Sequence, residues 1–423
     1  MKKLALILLF TFGICMMSLF AEAQNIVNQT VTNNNTFAVN TGGVMDGYHI
    51  GLAKITIGQM IMIVLALFLA YLSVAKKYEP LLLLPLAFGI ILGNIPIAGL
   101  SAYDEGGLIH FLYQGIRYVI YPPLIFLCIG SMTDFGPLIA SPKTALIGLG
   151  GQLGIFVALG GSLLFGNLLS PFIDGFDGFS FGDAASIAII GSSDGPTSIY
   201  TASRLAPDLL PTIAIAAFSY MALVPFIQPP IMRALTTDKE RAVVMPAPKQ
   251  VTQKQKIVFP IALTLITLLL VPAAGALIGM FMLGNLIKES GVTKRYLNTL
   301  HNDFLNILTL LVAVSIGASA TAERFLTPQT LIIIFLGLLA FSFGTVGGIL
   351  IAKLLYKVTG GKVNPLIGNS GVSAMPMAAR ISQKMGQKYN PHNHLLMHAM
   401  GPIVSSTIGS AIIAGIFIAL YGG

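Results

Sequence analysis

Long apolar runs, repeated along the chain and separated by short polar breaks, constrain this sequence more than any other feature. Residues 56–75, 81–100, 145–169, 257–286 and 331–355 are each long enough to cross about 30 Å of hydrocarbon as a helix. Only 9% of the 423 residues are charged, 55% are hydrophobic and none is Trp, whereas a soluble domain carries about 25% charge. The sequence predicts an all-α polytopic membrane protein of about nine to eleven transmembrane helices. They fall into two repeat-related halves with discontinuous helices at the centre.

The formal net charge of +8 is spread over short loops between the apolar spans. It therefore reads as membrane orientation, not as a nucleic-acid surface. Cys15 and Cys128 are the only cysteines, too few for a disulfide framework or a thiolate metal site. Lys2 and Lys3, the apolar run over residues 4–20 and the small-x-small step Ala21-Glu22-Ala23 predict a cleaved export signal over residues 1–23. A lipid anchor on Cys15 fits less well, because Phe12-Gly13-Ile14 is a poor approach to it. The polar segment 24–50 then lies outside, and the first span runs inward to Lys76 and Lys77. A first transmembrane half over 51–232 and a second over 258–423 flank a basic cytoplasmic loop, 233–257.

The halves echo each other. Ile190-Gly191-Ser192-Ser193 opens a polar interruption ending near Arg204, and Ile367-Gly368-Asn369-Ser370 opens another ending at Arg380. Upstream, Ile129-Gly130 precedes Ser141-Pro142-Lys143-Thr144 much as Ile316-Gly317 precedes Thr327-Pro328-Gln329-Thr330. Matched breaks of this kind mark transporter-like repeats, and irregular backbone at membrane depth belongs where it faces protein or a water-filled cavity.

The chemistry sits in those breaks. In GSSDGPTSIY, residues 191–200, Asp194 is a carboxylate between apolar flanks, which usually implies a cation, a proton or a charged partner. Gly195 and Pro196 interrupt the helix beside it, and freed carbonyls with the hydroxyls of Ser192, Ser193, Thr197 and Ser198 make a hard-oxygen set suited to Na⁺. The simpler reading is that Asp194 caps a helix on an aqueous loop. In NPLIGNSGVSAMPMAAR, residues 364–380, Asn364, Asn369, Ser370 and Ser373 offer neutral oxygens, and Gly368 and Gly371 permit close backbone approach. Arg380 can grip a carboxylate bidentately or simply mark a cytoplasmic helix end. Tyr220, in SYMALVPFIQPP, is a ligand, a proton donor or a packing aromatic; Asp134, before Gly136-Pro137, caps a helix or lines the same cavity. His392, His394 and His398 lack the Glu of a zinc-protease motif and read as structural or interfacial.

Taken together, IIGSSDGPTSIY, SYMALVPFIQPP, NPLIGNSGVSAMPMAARISQKMGQ and LLMHAMGP closely resemble the β subunits of sodium-translocating decarboxylases, which act on oxaloacetate, methylmalonyl-CoA or glutaconyl-CoA. The resemblance covers the chain from about Gly51 onward. It implies a multipass subunit of the bacterial inner membrane, with its mature N-terminus outside, that decarboxylates carboxybiotin and couples this to Na⁺ export with proton consumption. Asp194, Tyr220 and Arg380 are the implied catalytic residues, and Arg380 is the implied anchor for carboxybiotin. Asp194, Ser193, Thr197, Asn364, Gly368 and Ser373 are the expected Na⁺ ligands. Many relatives have Asn where this chain has Ile403, so Ser405 or Ser406 substitutes for it or a second Na⁺ site is weaker here.

The chain has no Met-Lys-Met biotin-acceptor site. The resemblance supplies the biotin on a carboxyltransferase α subunit, and adds a small single-span γ subunit and a β homo-oligomer in the lipid bilayer. The residues alone serve a stand-alone secondary transporter equally, either a Na⁺/H⁺ exchanger or a sodium-coupled carboxylate carrier.

Overall fold

The computed structural model describes residues 54–422 apart from 78, 97, 174, 175 and 248. The expected export signal, 1–23, and the polar segment 24–50 lie outside the described residues. Regular structure among the described residues is helical. In chain order the main helices are α1 (Ile57–Lys76), α2 (Pro80–Gly93), α3 (Leu108–Arg117), α4 (Tyr121–Met132), α5 (Ala145–Gly151), α6 (Leu153–Leu169), α7 (Phe181–Ile189) and α8 (Gly195–Leu205). There follow α9 (Leu210–Leu235), α10 (Asp238–Arg241), α11 (Gln253–Leu270), α12 (Gly275–Ser290), α13 (Leu305–Ser319), α14 (Pro328–Val358), α15 (Met377–Tyr389) and α16 (Leu396–Tyr421).

Among the described residues, six helical runs are long and apolar enough to cross a membrane: Ile57–Lys76, Pro142–Phe172, Gln253–Leu270, Lys294–Ser319, Pro328–Val358 and Leu396–Tyr421. The number rises to eight if two bent pairs each make one span, and Pro80–Gly93 and Phe181–Ser192 are shorter apolar helices. The protein is therefore a multipass membrane protein. Its lipid-facing character shows on α11, where Leu269 is 83% and Leu270 75% exposed; such side chains belong against hydrocarbon.

Local chemistry explains where helices start, bend and stop. Thr56 and Gln59 form a capping box on α1, with bonds of 3.2 and 3.0 Å between side chains and backbone N–H groups. The far end closes with Lys77 in the left-handed region, beside Lys76. Helix α9 bends by 61° between Met221 and Leu223. Pro225 accounts for it, because its ring clashes with the carbonyl four residues back and it supplies no N–H.

The chain divides into two units. In the first, residues 54–114 and 310–335, α2 crosses the end of α13 with no room for a side chain: a Cβ on Gly317 would lie 2.2 Å from the Leu86 carbonyl oxygen. Asn94 locks this crossing, donating to the carbonyls of Ile90 and Ala320 and accepting the Ala322 N–H, each at 2.9 Å. In the second unit, residues 115–309 and 336–422, α4 and α12 pack in the same small-residue manner around Phe126, Phe135 and Phe281. At the centre of this unit, α5, α6, α14 and α16 surround two places where helices break off.

Candidate functional site

The first break lies between α7 and α8. After a 3₁₀ turn over Ile190–Ser192, Ser193 adopts φ 55°, and Asp194 becomes the N-cap of α8. Its carboxylate accepts the Thr197 N–H at 3.3 Å through Oδ1 and the Ser410 hydroxyl at 3.0 Å through Oδ2. Asp194 thus does cap a helix, but not on an aqueous loop: it is 5% exposed. No Lys, Arg or His among the described residues comes within ion-pair distance of it. Beside it, the buried hydroxyls of Ser193 and Thr197 have no hydrogen-bond partner. A carboxylate has about four acceptor positions, of which two are used here. The group therefore combines one negative charge with spare oxygen lone pairs, the donor chemistry of a small hard cation.

The second break follows α14. Asn364 caps a 3₁₀ turn over Pro365–Gly371, its Oδ1 accepting the Leu366 N–H at 2.9 Å. The chain then passes through an irregular stretch, 372–374, and a turn at Met375-Pro376, where the Met375 N–H donates to the Ser373 carbonyl at 2.7 Å, and α15 begins at Met377. The Ser373 N–H donates to the Ser192 carbonyl at 2.8 Å, so the two breaks are bonded backbone to backbone. This approach is possible because helix α5 meets the second break at glycines. A Cβ on Gly151 would lie 1.6 Å from the Gly371 carbonyl oxygen.

Helix α16 stitches both breaks with hydroxyls one turn apart. Ser410 reaches Asp194, while Ser406 accepts from the Ser373 hydroxyl at 3.2 Å and from Gln152 Nε2 at 3.1 Å. Gln152, in the joint between α5 and α6, keeps a buried Oε1 without a partner. Ile403 is fully buried in apolar surroundings, and Ser405 bonds the Ala145 carbonyl at 2.9 Å. Of the two serines considered in place of the missing Asn, Ser406 is the one joined to Ser373. Neither Gln152 nor Ser410 was singled out from the sequence, because a lone Gln between glycine-rich helices and a Ser in a packed helix look like ordinary membrane packing.

The other expected site residues fall as follows. Asp194, Ser193 and Thr197 form one group, with Ser373 joined to it through Ser192. The Asn364 amide is engaged elsewhere, donating to the carbonyls of Arg241 at 3.0 Å and Val243 at 2.7 Å. Gly368 packs against Gly348 and Ile349 of α14. Among the described residues the Asn364 side chain shares no hydrogen bond with the Asp194 group.

Tyr220 is buried, its ring seated in a notch at Gly337, where a Cβ would lie 2.5 Å from the ring and 3.1 Å from Ile190 Cγ2. It thereby packs beside the residue that opens the first break. Arg380 is exposed in the first turn of α15, at the N-terminal end of that helix, and no ion pair or hydrogen bond engages its guanidinium among the described residues. Lys384 and Lys388 follow it at four-residue intervals and are exposed too, so the three share one face.

Asp134 accepts the Gly136 N–H at 2.8 Å and pairs with Lys256 at 3.1 Å. It makes a local turn and an ion pair, and its carboxyl lies below the ordinary value: burial alone would raise it, but the Gly136 N–H and Lys256 outweigh that. His392 and His394 are exposed and His398 is half-buried.

Comparison with known proteins gives the family. The family described as Na⁺-transporting oxaloacetate decarboxylase beta subunit matches residues 58–421. The chain belongs to that family. It is 52% identical over 370 residues to the methylmalonyl-CoA decarboxylase subunit beta of Veillonella parvula, covering 88% of this chain and 95% of that one. It is 50% identical over 373 residues to the glutaconyl-CoA decarboxylase subunit beta of Acidaminococcus fermentans, covering 88% and 96%. It is 44% identical over 423 aligned residues to the oxaloacetate decarboxylase beta chain of Klebsiella pneumoniae, covering 87% and 96%. Members of this family are β subunits of decarboxylases, and the membrane helices described above are what this family member contributes.

Proposed function

We propose that this chain is the membrane subunit of a biotin-dependent sodium pump in the bacterial inner membrane, with its mature N-terminus outside and loop 233–257 in the cytoplasm. A carboxyltransferase α subunit brings carboxybiotin to the cytoplasmic side, and a single-span γ subunit and further β copies complete the complex. The N–CO₂⁻ bond of carboxybiotin breaks, CO₂ leaves and the ring nitrogen takes up a proton. Arg380 holds the carboxylate, and the exposed Lys384 and Lys388 on its face of α15 extend the positive surface toward the basic loop. Tyr220 sets the packing of the first break against α14.

Asp194 alternates between Na⁺ and H⁺, with Ser193 and Thr197 completing the oxygen shell. The observation that carries this reading is a buried carboxylate with no cationic neighbour and two adjacent hydroxyls with no partner. Moving Na⁺ out against the membrane potential costs about 2.3 kcal/mol per 100 mV, so ion release has to be tied to carboxybiotin breakdown. Relatives named for three different substrates are similar to this chain at 44–52% identity, which supports substrate choice residing in the partner.

The test is Na⁺-dependent decarboxylation by the reconstituted complex. Asp194→Asn should abolish Na⁺ stimulation, and Arg380→Ala should stop carboxybiotin breakdown. Normal Na⁺ stimulation in the first variant would reject the ion role, and unchanged breakdown in the second would reject the anchor. Copurification with a biotinylated partner and inhibition by avidin separate this reading from a stand-alone transporter, which moves solute by itself.

A further inference from the structure

Loop 233–257 contains a buried arginine that orientation alone does not require. Arg241, at the end of α10, is 6% exposed. All five of its N–H donors are used. Nε donates to Thr236 Oγ1 at 2.8 Å, Nη1 to Tyr389 Oη at 2.9 Å and to Asp238, and Nη2 to the carbonyls of Arg233, at 2.6 Å, and Thr236. An arginine is almost never buried without this degree of pairing.

The backbone it holds is used in turn. Three consecutive carbonyls, those of residues 241, 242 and 243, accept from three asparagine amides. Asn364 reaches Arg241 and Val243 at 3.0 and 2.7 Å, Asn390 reaches Ala242 at 3.2 Å, and Asn393 reaches Arg241 at 2.9 Å. Asn364 stands at the start of the second break, and Asn390 and Asn393 follow the end of α15. One short stretch of loop backbone therefore grips both ends of the segment that carries Gly368, Ser373 and Arg380.

We infer that Arg241 and the three asparagines form a clasp that positions this segment, and that Asn364 acts as a positioning residue within it, not as an ion ligand. The inference rests on the proposed function for what the segment does, but not for how it is held. The Asn364 side chain supports it: both Nδ2 hydrogens and one of the two Oδ1 lone pairs are engaged by backbone groups, so the amide is oriented by the loop and by the Leu366 N–H.

The experiment uses the reconstituted complex with its biotin-carrying partner and the variants Arg241→Lys, Asn364→Asp and Asn393→Asp. Lysine keeps the charge but loses the fork, and aspartate keeps the shape but turns donors into acceptors. Each variant should lower the turnover of carboxybiotin by about 10- to 100-fold, as loss of supporting contacts does elsewhere, with the apparent Na⁺ constant unchanged within about twofold. The double variant Arg241→Lys with Asn364→Asp should be no worse than the poorer single one, because both open the same clasp. The inference is overturned if Asn364→Asp shifts the Na⁺ constant by about tenfold or more while Arg241→Lys and Asn393→Asp turn over normally, since a carboxylate would then be replacing a ligand.

Hydrogen exchange on the intact complex gives a readout independent of turnover. Amides of α15 should exchange faster in Arg241→Lys, and unchanged exchange overturns the clasp. If the wild-type complex shows no Na⁺-stimulated decarboxylation, the proposed function falls, and exchange alone decides the clasp. If Arg241→Lys does not assemble, Asn390→Asp, which releases a single contact, carries the same test.

Discussion

The two breaks are adjacent and bonded to each other, yet their polar groups are used in opposite ways. At the first, Asp194 accepts two hydrogen bonds and the hydroxyls of Ser193 and Thr197 accept none. At the second, Asn369 is clamped between Gln228, the Ala378 carbonyl and the hydroxyls of Ser370 and Ser382, and Asn364 is spent on loop 241–243. Unsatisfied buried groups cost about 1–3 kcal/mol each, so natural proteins keep few of them without a reason. The contrast teaches that polar content alone is a poor guide: the first break keeps oxygen capacity left over after folding, on which the proposed Na⁺ role rests, and the second spends most of its polar groups on internal bonds.

The sharpest way to break that contrast is Asp194→Asn. The amide oxygen can still accept from Thr197 N–H or Ser410, so α8 should stay capped, while the charge is lost. We expect Na⁺-stimulated decarboxylation to fall by about a thousandfold, within the range for removing a group that takes up and releases the reaction's proton. Complex assembly should be retained. A loss within tenfold would leave the first break with no special claim.

Next in size is Asn369→Leu in the second break. It removes a donor from Gln228 Oε1, at 2.9 Å, and from the Ala378 carbonyl, at 2.9 Å, in a fully buried site. Stability of the purified complex should drop by about 3 kcal/mol, read as the shift in its thermal or denaturant midpoint, and the apparent Na⁺ constant should hold. A shift in the constant with stability intact would make the second break an ion site after all.

These expectations also show what the sequence could and could not reveal. Asp194 was legible because an acid between apolar flanks is costly and rare. The hydrogen-bond partners of Asn364 were not, since an Asn before Pro serves equally as turn cap, oxygen donor or clasp. Its partner Arg241 lies 123 residues away and is adjacent only in the fold. Ser410 and Gln152 stayed hidden for a related reason: short polar residues in packed membrane helices usually bond their own backbone, as Thr201 and Ser162 do here.

Thr197→Val sharpens the comparison at the next level down. Valine matches the shape of threonine and removes only the unengaged hydroxyl. If that oxygen binds Na⁺, the apparent Na⁺ constant should rise by about tenfold, roughly 1.4 kcal/mol, with little loss of stability. If it is only an unsatisfied group, stability should rise by about 1 kcal/mol and the Na⁺ constant should not move. Ser370→Ala, in the second break, is the matched control, with a small stability loss and an unchanged constant.

The smallest effect tests how the second break is tied to its loop. Glu240 is buried at 8% exposure, where it accepts the Thr237 N–H at 2.7 Å and pairs with Lys353 at 3.4 Å. Burial alone would raise its carboxyl, but the Thr237 N–H and hydroxyl and the Lys353 ammonium outweigh this and leave it below the ordinary glutamate value. A carboxyl lowered on folding contributes stability in full above its unfolded value, near pH 4.3, and loses it as the pH falls through the lower folded value. At pH 7, Glu240→Gln should therefore destabilise the complex by about 1 kcal/mol through the weakened ion pair and cap. The gap from wild type should narrow as the pH is taken below about 4. A gap that stays constant down to pH 3 would mean that Glu240 acts through shape rather than charge, and loop 233–257 would then be held by the asparagine amides and Arg241 without help from Lys353.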